Sequence, residues 1–265
     1  MRYSMIQDAH EPLSPEVMRY YAPSIFATES YKTCSDKYRF ISTLDVMAAL
    51  QDEGYNVHMV GQTAPRIKDK TNYARHIIRF RKDTGLSTDV MNEIVLRNSA
   101  DKSSSAQLMA GVFRMVCANG CIAGDIIQDI RIRHAGNNIG DYVEGAYEII
   151  NQFQRVNESR ERMQQTHLSR EEYLQLANDA IKLRWPKEEQ EHVHAGILLS
   201  PRRTADLKDD DLFTTFNIIQ ENLVRGGQTG YTNKMQYRKV RALTGIDELV
   251  KINKGLWNLA DALAA

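Results

Sequence analysis

Apolar side chains recur along this chain with periods of about 2 and about 3.6 residues, and the change from one to the other falls near residue 140. Before that point "YNVHMVGQ" (55–62), "ARHIIRFRK" (74–82), "NEIVLRNS" (92–99) and "IIQDIRIRHA" (126–135) alternate as strands do, and "KYRFIS" (37–42) reads as a shorter one. Two helices are predicted among these strands. "STLDVMAALQDEGY" opens on the capping residues Ser42 and Thr43, spaces Leu44, Met47, Ala48 and Leu50 along one face, and ends at Gly54. "SSSAQLMAGVFRMVC" places Leu108, Met109, Val112, Phe113 and Val116 on one stripe, with Asn119-Gly120 as the turn that stops it.

After residue 140 the pattern is helical. "DYVEGAYEIINQFQRVNESRERMQQ" carries Tyr142, Ala146, Ile149, Ile150, Phe153 and Val156 on one face, and its charged tail "RVNESRERMQQ" is expected to be solvated. "SREEYLQLANDAIKLRW" opens with a capping box from Ser169 to Glu172. "DDLFTTFNIIQENLVRGG" is stopped by Gly226 and Gly227, and the last helix, "TGIDELVKINKGLWNLADALAA", carries a stripe through Ile246, Val250, Asn253, Leu256 and Trp257. The amides Asn217, Gln220 and Asn222 either satisfy buried backbone groups or line a site. The fold class predicted is α+β: a mostly antiparallel sheet with packed helices in the N-terminal half, and a helical C-terminal half. Residues 1–35, holding three of the six prolines and no sustained period, read as an N-terminal arm lying on, or trailing from, the body; 36–140 are expected to form the sheet core and 141–265 a helical region packed on it.

Composition narrows the function classes. The 34 basic and 34 acidic side chains cancel, so no global field favours nucleic acid or membrane, and such a partner needs a local patch. No apolar run approaches the roughly 18 residues of a membrane span, so no membrane partner is expected and the location is taken as cytoplasmic. Three cysteines do not make a disulfide framework. Cys117 and Cys121 stand four apart across the Asn-Gly turn, outside the two-residue spacing of zinc knuckles and redox pairs, and read as small apolar thiols. His192 and His194 share one face of a possible strand but lack further ligands nearby. "GQTGYTNK" (227–234) lacks the order of a phosphate-binding loop. No catalytic residue, cofactor or metal ligand is assigned.

The strands carry the local patch. Burying Ile78 and Phe80 leaves Arg75, Ile77, Arg79 and Arg81 on the opposite face; burying Ile94 and Leu96 leaves Glu93, Val95 and Arg97; burying Ile130 and Ile132 leaves Arg131 and Arg133. If these strands are neighbours, Arg75, Arg79, Arg81, Arg97, Arg131 and Arg133 line one surface, flanked by Lys68, Lys70 and Lys82. From 61 to 100 there are eight Lys and Arg against four Asp and Glu. Such a face either follows a phosphate backbone or is a solvated sheet surface whose arginines pair with carboxylates.

"YRFISTLDVMAALQDEGYNV", "HIIRFRK", "EIVLRNSADKSSSAQLMAGVFRMVCANGCIAG", "IRIRHAG", "TTFNIIQENLVRGG" and "RKVRALTGIDELVKINKGLWNLA" resemble successive blocks of the domain of unknown function 932 family, phage- and plasmid-related proteins. The resemblance spans about residues 36–262 and implies a place in mobile elements but no catalytic set. The order of strands and helices is also similar to the β-β-β-α unit of single-strand annealing proteins, which implies a ring holding single-stranded DNA in recombination. Two partners are therefore expected as alternatives: single-stranded DNA, gripped by the arginine face of a homo-oligomer, or a host protein met by an inhibitor or adaptor.

Overall fold

The computed structural model describes residues 3–7, 11–82, 90–114, 119–122, 130–132, 139–187, 189, 193–231, 236–243 and 245–265. The chain divides into two compact units, Met1–Gly120 with Ile127–Phe153, and Cys121–Ile126 with Gln154–Ala265. The fold is α+β, as the periodicity predicts.

Seven strands among the described residues make one sheet, ordered β1 (Tyr3–Gln7), β2 (Tyr55–Thr63), β3 (His76–Lys82), β4 (Val90–Asn98), β5 (Ala106–Arg114) and β6 (Asn119–Ile122), with β7 (Ile130–Ile132) also paired to β5. The pairings from β1 to β5, and of β5 with β7, are antiparallel. Register sets Ile78 beside Leu96 and Phe80 beside Ile94 on one face, and Arg79 beside Val95 and Arg81 beside Glu93 on the other. In β3 every residue but Lys82 is buried, so both faces of this central strand are covered.

Described residues of the N-terminal segment pack against the sheet. β1 extends the sheet beyond β2, and α1 (Pro15–Tyr21) with the 3₁₀ turn Pro23–Phe26 buries Met18, Ala22 and Ile25. The prolines hide this in the sequence: Pro15 and Pro23 each start a short helix, where a missing N–H costs nothing. α2 (Thr43–Asp52) begins at Ser42, whose hydroxyl accepts from Asp45 N, and is followed by Gly54 at φ +82°, a left-handed position suited to glycine.

Three elements differ from the sequence expectation. Residues 37–42 are not a strand: Tyr38 donates its hydroxyl to the Ser99 carbonyl and Asn98 Nδ2 donates to the Ile41 carbonyl, so side chains hold this segment in place of a ladder. The stretch 106–114 is strand β5, not a helix. Leu108, Met109, Ala110 and Val112 are all buried there, and a strand covered on both faces shows a continuous apolar run that periodicity cannot tell from a helix. Asn119-Gly120 accordingly opens β6 rather than ending a helix. Of the stretch 126–135, β7 keeps Ile130–Ile132 as strand, and 126–129 and 133–135 lie outside the described residues. These changes also separate the topology from β-β-β-α: a fourth long strand stands where that order requires the helix.

The second unit packs helices. α3 (Ile139–Gln165) contributes its C-terminal part, where Val156, Ser159 and Met163 form a buried stripe within the tail expected to be solvated. Ser159 and Arg162 both donate to Asp261 Oδ1, at 2.5 and 2.9 Å. α4 (Arg170–Arg184) starts with the predicted capping box: Ser169 Oγ accepts from Glu172 N at 3.3 Å and Glu172 Oε2 from Ser169 N at 2.8 Å. Ser169→Ala is expected to lower stability by about 1 kcal/mol, seen as a lower midpoint in urea; an unchanged midpoint would show that the cap contributes nothing.

α5 (Ala195–Leu198) is N-capped by His194, whose Nδ1 accepts from Gly196 N, so this histidine opens a turn instead of lying on a strand; His192 lies outside the described residues. α6 (Leu212–Arg225) is buried along almost its whole length and meets α7 (Ile246–Leu263), with Trp257 edge-on to Phe216 at 5.6 Å. Its amides act structurally. Asn217 Nδ2 donates to Phe213 O, Gln220 Nε2 to Asn253 Oδ1, and Asn222 Nδ2 to the Leu198 and Ser200 carbonyls. A two-stranded ribbon, β8 (Thr229–Tyr231) with β9 (Tyr237–Lys239), lies between α6 and α7 in sequence.

Candidate nucleic-acid interface

The expectation of an exposed arginine surface fails at its centre. Arg79 and Arg81 are 2 % and 1 % exposed. Both donate to a fully buried Glu93, Arg79 Nη1 to Oε2 at 2.6 Å and Arg81 Nε to Oε1 at 2.7 Å. Alternation places these three residues on one face correctly, but that face is covered, and charge is tolerated there because one carboxylate is shared by two guanidiniums. Gly111 stands opposite Glu93 on β5. Arg79 and Arg81 are thus internal side chains out of a ligand's reach. Arg97 is half-buried. Arg131 sits in β7 opposite Gln107, with its side chain outside the described residues, as is the whole of Arg133. Lys82 is exposed at the end of β3, its ammonium 5.7 Å from the Tyr55 ring centroid.

Lys68, Lys70 and Arg75 remain, and the fold gathers other cations around them. Lys68–Tyr73 is a 3₁₀ turn leading into β3. Tyr31 N bonds to Ala100 O and Ala100 N to Tyr73 O, which brings residues 31–34, 66–75 and 99–103 together. Lys70 lies 3.8 Å from the Asp101 carboxylate and 4.9 Å from the Tyr31 ring centroid. Lys32 donates to Asp69 at 2.8 Å, and this bond holds the Asp69 carboxyl below its usual range. Arg75 Nη2 donates to Ser103 O at 2.5 Å, and partial burial lowers its guanidinium from its ordinary value. Lys102, at φ +60°, reaches the Thr33 carbonyl. These three segments together carry six cations (Lys32, Arg66, Lys68, Lys70, Arg75, Lys102) and two carboxylates, Asp69 and Asp101. Arg66 and Lys68 are exposed and enter no ion pair among the described residues. Lys32 and Lys102 are missed by a charge count over 61–100 because they join the cluster only through the fold.

A second polar cluster serves the core. His76 Nδ1 is 2.9 Å from Ser24 Oγ and its Nε2 is 3.0 Å from Thr43 Oγ1. Asn98 Nδ2 donates to Thr43 Oγ1, which leaves the threonine hydrogen for Nε2 and the Nδ1–H for Ser24 or the Ala74 carbonyl. Ser24 and His76 are both sealed from solvent and the ring faces a threonine where a nucleophile pair needs a carboxylate, so this cluster ties the N-terminal segment to the sheet. Among the described residues no three His, Cys, Asp or Glu are grouped to hold a metal, and no helix is long and apolar enough to cross a membrane. Cys34 is half-buried; Cys117 and the side chain of Cys121 lie outside the described residues.

The sequence matches the family described as Domain of unknown function (DUF932) over residues 31–257. The chain belongs to the DUF932 family. Two Escherichia coli (strain K12) relatives, UPF0380 protein YafZ and UPF0380 protein YfjQ, are each 36 % identical over 252 residues, covering 95 % of this chain and 92 % of theirs. No solved structure matches it. The DUF932 match includes Lys32, Arg66, Lys68, Lys70, Arg75 and Lys102, so the whole cationic edge lies within the family's own domain.

Proposed function

We propose that this DUF932 protein binds nucleic acid, single strands above all, through the cationic edge formed by Arg66, Lys68, Lys70 and Arg75 with Lys32 and Lys102. The observation that supports it is local excess charge on irregular backbone: six cations to two carboxylates, both carboxylates within reach of a lysine, in a chain of zero net charge. Cations on turns can follow an irregular sugar–phosphate chain, and half-buried Tyr73 and exposed Ile67 offer apolar surface beside them. Single-strand binding in recombination is the biological setting this reading suits, and it does not depend on a likeness to annealing proteins.

Fluorescence anisotropy of labelled single-stranded and duplex DNA between about 50 and 200 mM salt tests it. Wild-type affinity should fall with salt at a log–log slope of about 0.7 per phosphate contacted on single strands. Arg66→Glu/Lys68→Glu, which alters two exposed and unpaired side chains, should weaken binding and flatten that slope by about 1.4. Absence of binding by the wild type, or an unaltered slope in the variant, would refute the reading and turn the search to an acidic protein partner.

A further inference from the structure

The helical unit holds a second stretch of unbalanced charge. Between Glu221 and Asp247 there is no acidic residue, while Arg225, Lys234, Arg238, Lys239 and Arg241 are all basic. Lys234 lies outside the described residues; three of the others sit on or just after β9. Each residue of β9 is exposed, and Tyr237 is 76 % exposed. A strand this exposed contributes nothing to a core, so burial does not account for its sequence.

The ribbon is nevertheless firmly based. The β8–β9 register pairs Thr229 with Lys239 and Gly230 with Arg238. Gly227 N bonds to Val240 O at 2.7 Å, Val240 N to Gln228 O at 2.8 Å, and Leu243 N to Val224 O at 2.8 Å. Gly226, at φ +60°, lies so close to the Val240–Arg241 backbone that a Cβ would stand 2.6 Å from the Val240 carbonyl oxygen. The Arg184 guanidinium donates to the carbonyls of Leu223 and Arg241, and Arg202 donates to Asn222 Oδ1 at 2.6 Å and to Gly226 O. Those arginines are committed to hydrogen bonds within the unit. Arg238, Lys239 and Arg241, in contrast, enter no ion pair among the described residues.

We infer that the β8–β9 ribbon is a nucleic-acid contact, with Tyr237 as a stacking platform for a base and Arg238, Lys239 and Arg241 as phosphate contacts. Strand alternation puts Tyr237 and Lys239 on one face, so a base stacked on the ring has its phosphate within reach of the lysine, while Arg238 serves the other face. A phenol that is three-quarters exposed among unpaired cations favours nucleic acid over an acidic peptide, because a peptide carboxylate gains nothing from the ring face. This inference rests on the nucleic-acid reading given above and adds a second surface to it.

The test uses full-length protein and labelled oligothymidylate, comparing wild type, Tyr237→Ala, Arg238→Glu/Lys239→Glu and Arg66→Glu/Lys68→Glu, with thermal melts as a folding control. Tyr237→Ala should weaken binding about tenfold or more with little change in salt slope, the range of one lost stacking contact. Arg238→Glu/Lys239→Glu should flatten the slope by about 1.4. Ribbon variants that bind like wild type, while Arg66→Glu/Lys68→Glu is weakened, would overturn the ribbon and leave the first surface standing. Weakening confined to the ribbon variants would support the ribbon and remove the first surface. A wild type that binds no oligonucleotide overturns both, and competition by polyglutamate that is insensitive to Tyr237→Ala would recast the ribbon as a site for acidic protein.

Discussion

Glu93→Ala is expected to destabilise the sheet unit by about 3–5 kcal/mol, the cost of breaking a buried ion pair from one side. Glu93 has no solvent exposure and takes one guanidinium on each carboxylate oxygen, at 2.6 and 2.7 Å, so its removal costs Arg79 and Arg81 a charge partner where water cannot replace it. Glu93→Gln keeps the shape and one acceptor but removes the charge, and should fall between alanine and wild type. Urea unfolding followed by circular dichroism measures this as a lower midpoint at similar slope. A loss below about 1 kcal/mol would mean the site relaxes or admits water, and would return Arg79 and Arg81 to the set of side chains able to meet a ligand.

That triad also shows where sequence reading stops. Alternation groups Arg79, Arg81 and Glu93 on one face of their strands, and it does so correctly, but it carries no information about whether a face is covered. Register supplies what is missing: Glu93 lies beside Arg81 across the β3–β4 pair, and only then does a row of arginines become an ion triad instead of a groove. β5 fails for a related reason. Its apolar run follows from burial on both faces, and only pairing with β4 distinguishes it from a helix. Elements with end signals of their own were legible from residues alone: α4 through Ser169 and Glu172, α6 through Gly226-Gly227, α2 through Ser42 and Gly54. For the candidate surfaces, Lys68 and Lys70 were readable as loop cations, whereas Lys32 and Lys102 reach them only by folding. The ribbon was readable too: a charge count over 222–246 finds it, and one over 61–100 does not.

Acidification from about pH 6.5 to 4 is expected to remove about 3 kcal/mol from the sheet unit through His76 alone. Full burial drives the imidazole from 6.5 down to about 4, partly offset by its hydrogen bond to the Ala74 carbonyl. Its other partners, Ser24 and Thr43, carry no charge, so nothing compensates a proton placed on the ring. Above pH 6.5 neither folded nor unfolded histidine is protonated and the contribution is complete. Between 6.5 and 4 the unfolded chain binds the proton that the folded chain refuses, so stability falls with pH; below 4 both bind it and the loss levels off. His76→Gln has no such titration. The gap between wild type and His76→Gln in urea-derived stability should therefore shrink by about 3 kcal/mol from pH 7 to pH 4, whatever the carboxylates contribute in common. Parallel pH profiles for the two proteins would show that the ring is protonated as easily folded as unfolded, and that the Ser24–His76–Thr43 cluster opens to water before the sheet does.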